Sequence, residues 1–305
     1  MSKLRIATRS SSLALIQTQI FIEAVKKQKE DIDFEIVEIK SKGDIDKKKP
    51  LWELSETGFF TTAIESALRE NKADIAVHSF KDLPIEKTDG LTVVTILDRR
   101  YCQDCLVCNK KIKMMKDLPK GARIGTSSLR RKAQLLHQRP DLKCEPIRGN
   151  VQTRISQVEK GQFDATVLAY AGVERLGLAD KVSIMFDPAE FISAPAQGAI
   201  AVQAKADDNK ILKLLAEFDD EPSRITSDTE RLVWHIIGAG CHAPAGVFAQ
   251  ITGDDIIVYA FVSDPDGRKM INRRANGSVR TAKNVAQDLA NELLEAGAAE
   301  LLKNE

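Results

Sequence analysis

The chain has 305 residues, 43% hydrophobic and 29% charged, with 45 Lys+Arg against 44 Asp+Glu and a formal net charge of +1. Such a chain supports a packed core and two or three domains of about 100–150 residues. It excludes a globally basic nucleic-acid binder, so any basic surface has to be local. No apolar run approaches the ~20 residues of a membrane span, the opening MSKLRIATRS lacks the apolar stretch of a signal peptide, and five cysteines at irregular spacing suit a reducing cytosol.

Leu4 to Thr8 is predicted as the first strand, followed by Arg9, Ser10, Ser11 and Ser12 and an amphipathic helix to about Gln28. Serines cap helices well, and a helix start with its unpaired N–H groups favours an anion once Arg9 stands beside it. Asp33 to Lys40 alternates as a second strand. The charged segment Ile45 to Ser55 has little periodicity and reads as a surface loop or lid, and Thr57-Gly58-Phe59-Phe60 opens a helix to Asn71. Ala73 to Pro84, ADIAVHSFKDLP, then reads as a short buried parallel strand ending at His78-Ser79. Lys81 and Asp82 follow it, where α/β sheets hold their ligands. The competing reading of Asp82 is a turn residue before a proline.

The second half repeats this order. ARIGT at Ala122–Thr126 resembles RIAT at Arg5–Thr8, with Ser127-Ser128-Leu129 in place of the first serines. A strand at Lys143–Ile147, Arg148-Gly149-Asn150, a helix at Val151–Lys160 and a strand at Asp164–Ala169 complete the parallel. Two similar α/β domains facing each other across a cleft are expected. Between Gly121 and Arg154 lie Arg123, Arg130, Arg131, Lys132, Arg139, Lys143, Arg148 and Arg154, against only Asp141 and Glu145; Arg175 follows the next strand. Arginine suits bidentate contact with carboxylate or phosphate. The set suggests an oligo-anion site, Arg139 apart, which is expected on a solvated face. No aromatic residues interleave with the arginines, which speaks against nucleic acid. Cys102, Cys105 and Cys108 have metal-like spacing, but CLVC reads as a strand whose side chains alternate faces, so structural cysteines are expected.

Phe191 to Ala199 is small, flexible and uncharged, fitting a hinge or return crossover, after which Ile200–Gln203 is predicted to rejoin the first sheet. Helices are predicted at Ile211–Phe218 and from Pro222 to about Ile237. The loop Gly238-Ala239-Gly240-Cys241-His242-Ala243-Pro244 surrounds Cys241 with glycines, which makes an accessible, reactive or modified thiol plausible. His242 as an adjacent base is disfavoured, because sequence neighbours rarely face each other. Strands at Val247–Thr252, Ile256–Val262 and Lys269–Ala275 and a helix from Ala282 to about Lys303 define an α+β domain.

RIATRSSSLAL, ADIAVHSFKDLP, IGTSSLRRKAQL, RGNVQTR, LAYAGVERLGL, AQGA and GAGCHAP, in this order, resemble the hydroxymethylbilane synthase (porphobilinogen deaminase) family nearly end to end. The resemblance implies two periplasmic-binding-protein-like α/β domains around a cleft plus a C-terminal α+β domain with a three-stranded antiparallel sheet. Expected boundaries are 1–98 with 197–218, 102–192, and 222–305. It implies head-to-tail condensation of four porphobilinogens with loss of ammonia onto a covalent dipyrromethane cofactor, then release of 1-hydroxymethylbilane by water. By position, Cys241 carries the cofactor thioether and Asp82 is catalytic, expected as a buried carboxylate kept ionised by Lys81. Lys81, Arg130, Arg131, Arg148, Ser127 and Ser128 are implied to hold the cofactor, and Arg9, Ser11, Arg154 and Arg175 the substrate. No metal, nucleic acid or membrane is expected, and a cytoplasmic monomer is implied.

The chain departs from the family pattern at Thr57, where a lysine is usual, at Gln103, where an arginine is usual, and at Ser193 and Ala196, where proline and glycine are usual. These changes touch lid and hinge more than chemistry. A two-lobed carboxylate receptor is the rival reading. It explains the arginines but neither Cys241 nor the third domain.

Overall fold

The computed structural model describes residues 3–39, 61–240 and 243–303. The Ile45–Ser55 loop, Thr57 and the Cys241-His242 pair lie outside them. In chain order the elements are β1 (Leu4–Arg9), α1 (Ser12–Lys26), β2 (Phe34–Ile39), α2 (Thr62–Arg69), β3 (Ile75–Ser79) and β4 (Leu91–Ile96). Next come β5 (Asp104–Cys108), β6 (Arg123–Gly125), α3 (Leu129–Gln138), β7 (Lys143–Glu145), α4 (Val151–Glu159), β8 (Ala165–Ala169), α5 (Tyr170–Arg175) and β9 (Ile184–Met185). The chain ends with β10 (Ile200–Lys205), α6 (Asn209–Ala216), α7 (Glu221–Ile236), β11 (Ala245–Thr252), β12 (Asp255–Ser263), β13 (Met270–Ser278), α8 (Ala282–Glu295) and α9 (Ala298–Leu302).

Two five-stranded sheets share one plan. The first runs β2-β1-β3-β10-β4 and the second β7-β6-β8-β5-β9. In each, three strands are parallel and the fourth is antiparallel to both of its neighbours, β10 in the first and β5 in the second. This is the repeat visible in the sequence. A third sheet, β11-β12-β13, is antiparallel throughout. The fold is therefore α/β, doubled, with an added α+β sheet.

The described residues fall into two compact units: 198–224 join the residues up to 100, and the rest form the second unit with the third sheet inside it. In the first unit, strand alternation sorts the core. Ile6, Ile75 and Val77 pack with Phe21, Val25, Val202 and Leu215 on one face. Ala7 and Ala76 face Ile64 and Leu68 of α2 on the other, where small residues let the helix approach. In the second unit Cys105 and Cys108 lie in different apolar clusters on opposite faces of β5. Burial pushes the Cys105 thiol up to about 12 and that of Cys108 to about 11, which leaves both inert near neutrality.

The third sheet docks on α3 through the β12–β13 turn. Gly267 has φ +70°, and a Cβ there would stand 2.1 Å from the Ala133 carbonyl oxygen, so only glycine fits. His137 Nδ1 lies 3.0 Å from the Gly267 carbonyl oxygen, and Lys132 pairs with Asp266 at 2.9 Å. The predicted terminal helix is two helices, broken where Gly297 turns left-handed at φ 95°.

The crossover is not the flexible segment expected from its small residues. Residues 191–200 are buried except Ala194. Ala196 sits at φ 57°, a left-handed backbone that L side chains disfavour. Its N–H donates to Glu230 Oε2 at 2.6 Å, while Glu230 Oε1 accepts from the Ala249 N–H at 2.7 Å. One fully buried carboxylate thus fixes both the crossover and β11. Glu230→Ala orphans two buried N–H groups, each costing roughly 1–3 kcal/mol. Its urea midpoint is expected to drop by the equivalent of about 3 kcal/mol, whereas a surface change such as Glu300→Ala leaves it in place.

Candidate active site

In the first unit a cavity of about 60 Å³ opens past the carboxyl ends of β1 and β3, among Arg9, Ser11, Gln17, His78, Ser79 and Asp82. Ser11 is the N-cap of α1, its Oγ accepting from the Ala14 N–H at 3.3 Å, so its hydroxyl is partly engaged. The Gln17 amide donates to Ser79 Oγ at 2.8 Å, tying α1 to β3. Lys81 and Asp82 lie on the single 3₁₀ turn Phe80–Asp82. The expectation of a buried carboxylate is corrected here: Lys81 is half-buried and Asp82 exposed. The turn follows directly on the last residue of β3.

His78, the penultimate residue of β3 and part of this cavity's lining, is the buried titratable group instead. It is 5% exposed, Nε2 has no hydrogen-bond partner, and burial pushes the imidazole down to about 4 against slight opposition from nearby Gln203.

In the second unit the basic run resolves into arginines that are used internally and arginines that are not. Arg139 is not on a solvated face: it grips Asp141 with two nitrogens, at 2.7 and 2.9 Å, and donates to the Met115 and Leu118 carbonyls. Arg123 is bidentate to Glu145 at 3.0 and 2.9 Å and stacks over Phe163. Both nearby acids are thereby consumed.

Arg130 and Arg131, 4% and 7% exposed, share one carboxylate, Asp104, which is wholly buried at the start of β5. Arg130 Nη1 lies 2.7 Å from Asp104 Oδ2, and Arg131 Nη2 lies 2.7 Å from Oδ1. Gln197 Nε2 adds a third donor at 2.9 Å. Arg130 also donates to the Ile192 carbonyl at 2.7 Å and Arg131 to that of Val167 at 3.1 Å. Two guanidinium groups and three converging donors hold the Asp104 carboxyl well below the usual range, despite its burial. Two cations on one anion leave a surplus positive charge.

Arg148 is different. Its Nε and Nη2 are buried and have no hydrogen-bond partner. Arg154 Nε donates to the Gly149 carbonyl at 2.9 Å, and its guanidinium is pushed down to about 10, first by burial and then by the charges of Arg131 and Arg148. Arg175, the last residue of α5, is lowered by burial as well. Ser128 caps α3, accepting from the Arg131 N–H at 3.4 Å, and Ser127 donates to the Ile147 carbonyl at 2.6 Å while accepting from its N–H. These serines shape the arginine site through the backbone.

A buried cationic N–H without an acceptor is costly. Arg148, near enough to Arg154 for its charge to be felt there, therefore fits a ligand that brings its own carboxylates, as an acidic dipyrromethane does. Sequence reasoning did not single out Asp104, Gln17 or His78. The first was visible only as the end of a variant motif, and the other two lay inside strong motifs whose charged residues drew the reading.

An α/β chain with two like sheets, each presenting polar and cationic groups past its strand ends, is a binder of acidic ligands. Comparison with known proteins makes this specific. Residues 4–213 match the family model "Porphobilinogen deaminase, dipyromethane cofactor binding domain", and residues 224–295 match "Porphobilinogen deaminase, C-terminal domain". A probable porphobilinogen deaminase of Methanopyrus kandleri is 41% identical over 296 residues, covering 96% of this chain and 99% of its own. A porphobilinogen deaminase of Campylobacter curvus is 39% identical, covering 99% and 97%. Among solved structures, the methionine-binding protein MetQ is similar at 13% identity and a TM-score of 0.46, covering 70% of this chain and 89% of its own. The chain belongs to the porphobilinogen deaminase family.

The His78 geometry carries a pH prediction. The unfolded chain takes up the imidazole proton near 6.5, whereas the folded protein resists it down to about 4. Folding stability is then full above about 6.5 and falls as the pH drops from there towards 4, by at most on the order of 3 kcal/mol. Urea titrations across this range are expected to show that slope, and His78→Leu to flatten it.

Proposed function

We propose that this chain is a hydroxymethylbilane synthase, condensing porphobilinogen stepwise with loss of ammonia in tetrapyrrole synthesis. The observation that carries this reading is the match of both porphobilinogen deaminase models across the chain. The partnerless, buried nitrogens of Arg148 support it from the side of the chemistry.

When bound, the dipyrromethane supplies the pyrrole carbon on which the product chain is begun. Cys241 is the residue proposed to carry it by a thioether. Arg148 and Arg131 are assigned its carboxylates, and Arg154 a substrate carboxylate: Arg148 offers Nε and Nη2 without hydrogen-bond partners, and the Asp104 bridge holds Arg131 in place. Arg130 is assigned an indirect part, since its guanidinium is spent on Asp104 and Ile192. Ser127 and Ser128 orient this site, and Arg9, Ser11 and Arg175 are assigned substrate carboxylates.

Loss of ammonia leaves positive charge on the pyrrole methylene. Asp82 is proposed as the carboxylate that stabilises this charge and passes the pyrrole N–H proton. Its exposed position on the turn after β3 lets a substrate cover it. Among the described residues, no helix is long and apolar enough to cross a membrane. A cytosolic monomer that needs no metal or nucleic acid is part of the same proposal.

Protein from cells that make porphobilinogen is expected to be heavier than its sequence by one dipyrromethane, and Cys241→Ser to lose the excess; bare polypeptide would refute the covalent primer. Asp82→Asn is expected to keep fold and primer but lose turnover by at least about 100-fold, the usual scale for a positioned acid–base group. Normal ammonia release by that variant would dismiss Asp82 from catalysis. Arg148→Leu is expected to accumulate primer-free protein, visible by intact mass.

A further inference from the structure

His78 is a group the assigned chemistry leaves without a task. It lies in the wall of the cavity that holds Arg9 and Asp82. It is more than nine-tenths buried, and Nε2 has no hydrogen-bond partner. Histidine is a costly residue to bury for packing alone, because an unmet polar nitrogen forfeits its hydration.

The surroundings show why the ring stays uncharged and how it is turned. On β3, His78 shares a face with Ala76, the face that packs on α2. Gln203 of β10 pairs across from Ala76 and lies on that same side. Gln203 Nε2 donates to Glu65 Oε1 at 3.0 Å, and the Thr88 hydroxyl donates to the same oxygen at 2.9 Å. With its nitrogen spent on Glu65, the Gln203 amide turns its oxygen away from that residue. That oxygen, Oε1, is itself buried without a full hydrogen bond, and its effect on His78 is to favour the ring proton. Glu65 and Gln203 therefore turn an acceptor towards the ring. The N–H of the neutral imidazole goes to that side, and the opposite nitrogen keeps its lone pair.

We propose that His78 is a positioning and specificity residue for the reaction: its lone-pair nitrogen accepts a hydrogen bond from the aminomethyl ammonium of porphobilinogen and seats the leaving group beside Asp82. The inference rests on the assignment of Asp82 as catalytic. The wall beside His78 is polar, with Arg9, Ser79 and Asp82 lining the same cavity. In the step itself the C–N bond breaks, and its electron pair leaves with nitrogen as ammonia. The positive charge stays on the pyrrole methylene, opposite the Asp82 carboxylate. No proton moves to His78. A stronger base at this place would strip the ammonium before bond breaking and leave amide, a far worse leaving group. An imidazole kept neutral and weakly basic holds the ammonium without deprotonating it.

The test uses the primer-loaded protein at pH 8, with porphobilinogen and with its analogue bearing hydroxymethyl in place of aminomethyl. His78→Leu is expected to retain primer by intact mass and to raise KM for porphobilinogen about tenfold, the scale of one charge-assisted hydrogen bond. The kcat/KM ratio of porphobilinogen to the analogue is expected to fall in parallel, because the hydroxymethyl group carries no charge. His78→Gln and His78→Asn place an amide acceptor near one or the other ring nitrogen, and one of them is expected to restore the ratio. A purely structural histidine would lower activity on both substrates alike and leave the ratio unmoved, which overturns the proposal. It is also overturned if neither amide does better than leucine. Asp82→Asn is assayed beside them: if it stays active, the Asp82 assignment fails, whereas an inactive Asp82→Asn with an unchanged His78→Leu ratio sinks the His78 role alone.

Discussion

The arrangement of the second unit depends on one buried carboxylate. Asp104 gathers Arg130, Arg131 and Gln197, residues from a helix and a crossover far apart in the chain, onto two oxygen atoms. Taking an ion of this size out of water costs several kcal/mol, which close pairing offsets. Arg131 and Gln197 donate to Oδ1, and Arg130 stands 2.7 Å from Oδ2 as its counter-charge. Removing Asp104 would leave two uncompensated guanidinium groups in the core, so the bridge specifies a shape more than it adds stability. That shape has a use. Arg131 is fixed where its charge and that of Arg148 both reach Arg154, and among the described residues no acid is paired with Arg148 or Arg154.

The same node reaches the crossover. Arg130 holds the Ile192 carbonyl, Gln134 brackets the Ile192 peptide from both sides, and Gln197 binds both Asp104 and the Cys102 carbonyl. Glu230 fixes the left-handed Ala196 from the other direction. The segment's composition suggested a pliable hinge, but its backbone is hydrogen-bonded at Phe191, Ile192, Ser193, Ala196, Gln197 and Ala199. Glycine is usual at Ala196 in the family. This chain tolerates alanine because a charge-assisted hydrogen bond secures the disfavoured backbone.

Much of this was legible in the sequence. Short apolar runs ending in serine-capped helices announced both sheets, and the likeness of RIAT to ARIGT announced their shared plan. Strand alternation correctly separated Cys105 from Cys108. What periodicity does not carry is pairing between distant residues. Nothing local marks Asp104 as the partner of Arg130 and Arg131, or assigns Arg139 to Asp141 rather than to solvent. The exposure of Asp82 was misjudged for a related reason: a residue just past a strand is covered or bare depending on the helices that follow, and those are set by tertiary packing. The single predicted terminal helix failed at Gly297, whose left-handed backbone ends one helix and begins the next.

The plan of the sheets bears on how the molecule is made. β10 lies between β3 and β4 and is antiparallel to both, so these two strands have no ladder with each other. They leave the ribosome long before β10 does. Until residue 200 emerges, the first sheet has a missing rung, with two inner edges exposed and the face of α6 absent. A nascent chain halted after β4 therefore holds an unfinished layer rather than a finished lobe. Chaperone capture is expected to concentrate on that interval of synthesis, and a gene split between the two halves of the repeat would leave the first fragment without β10, while the second would keep all five strands of its own sheet.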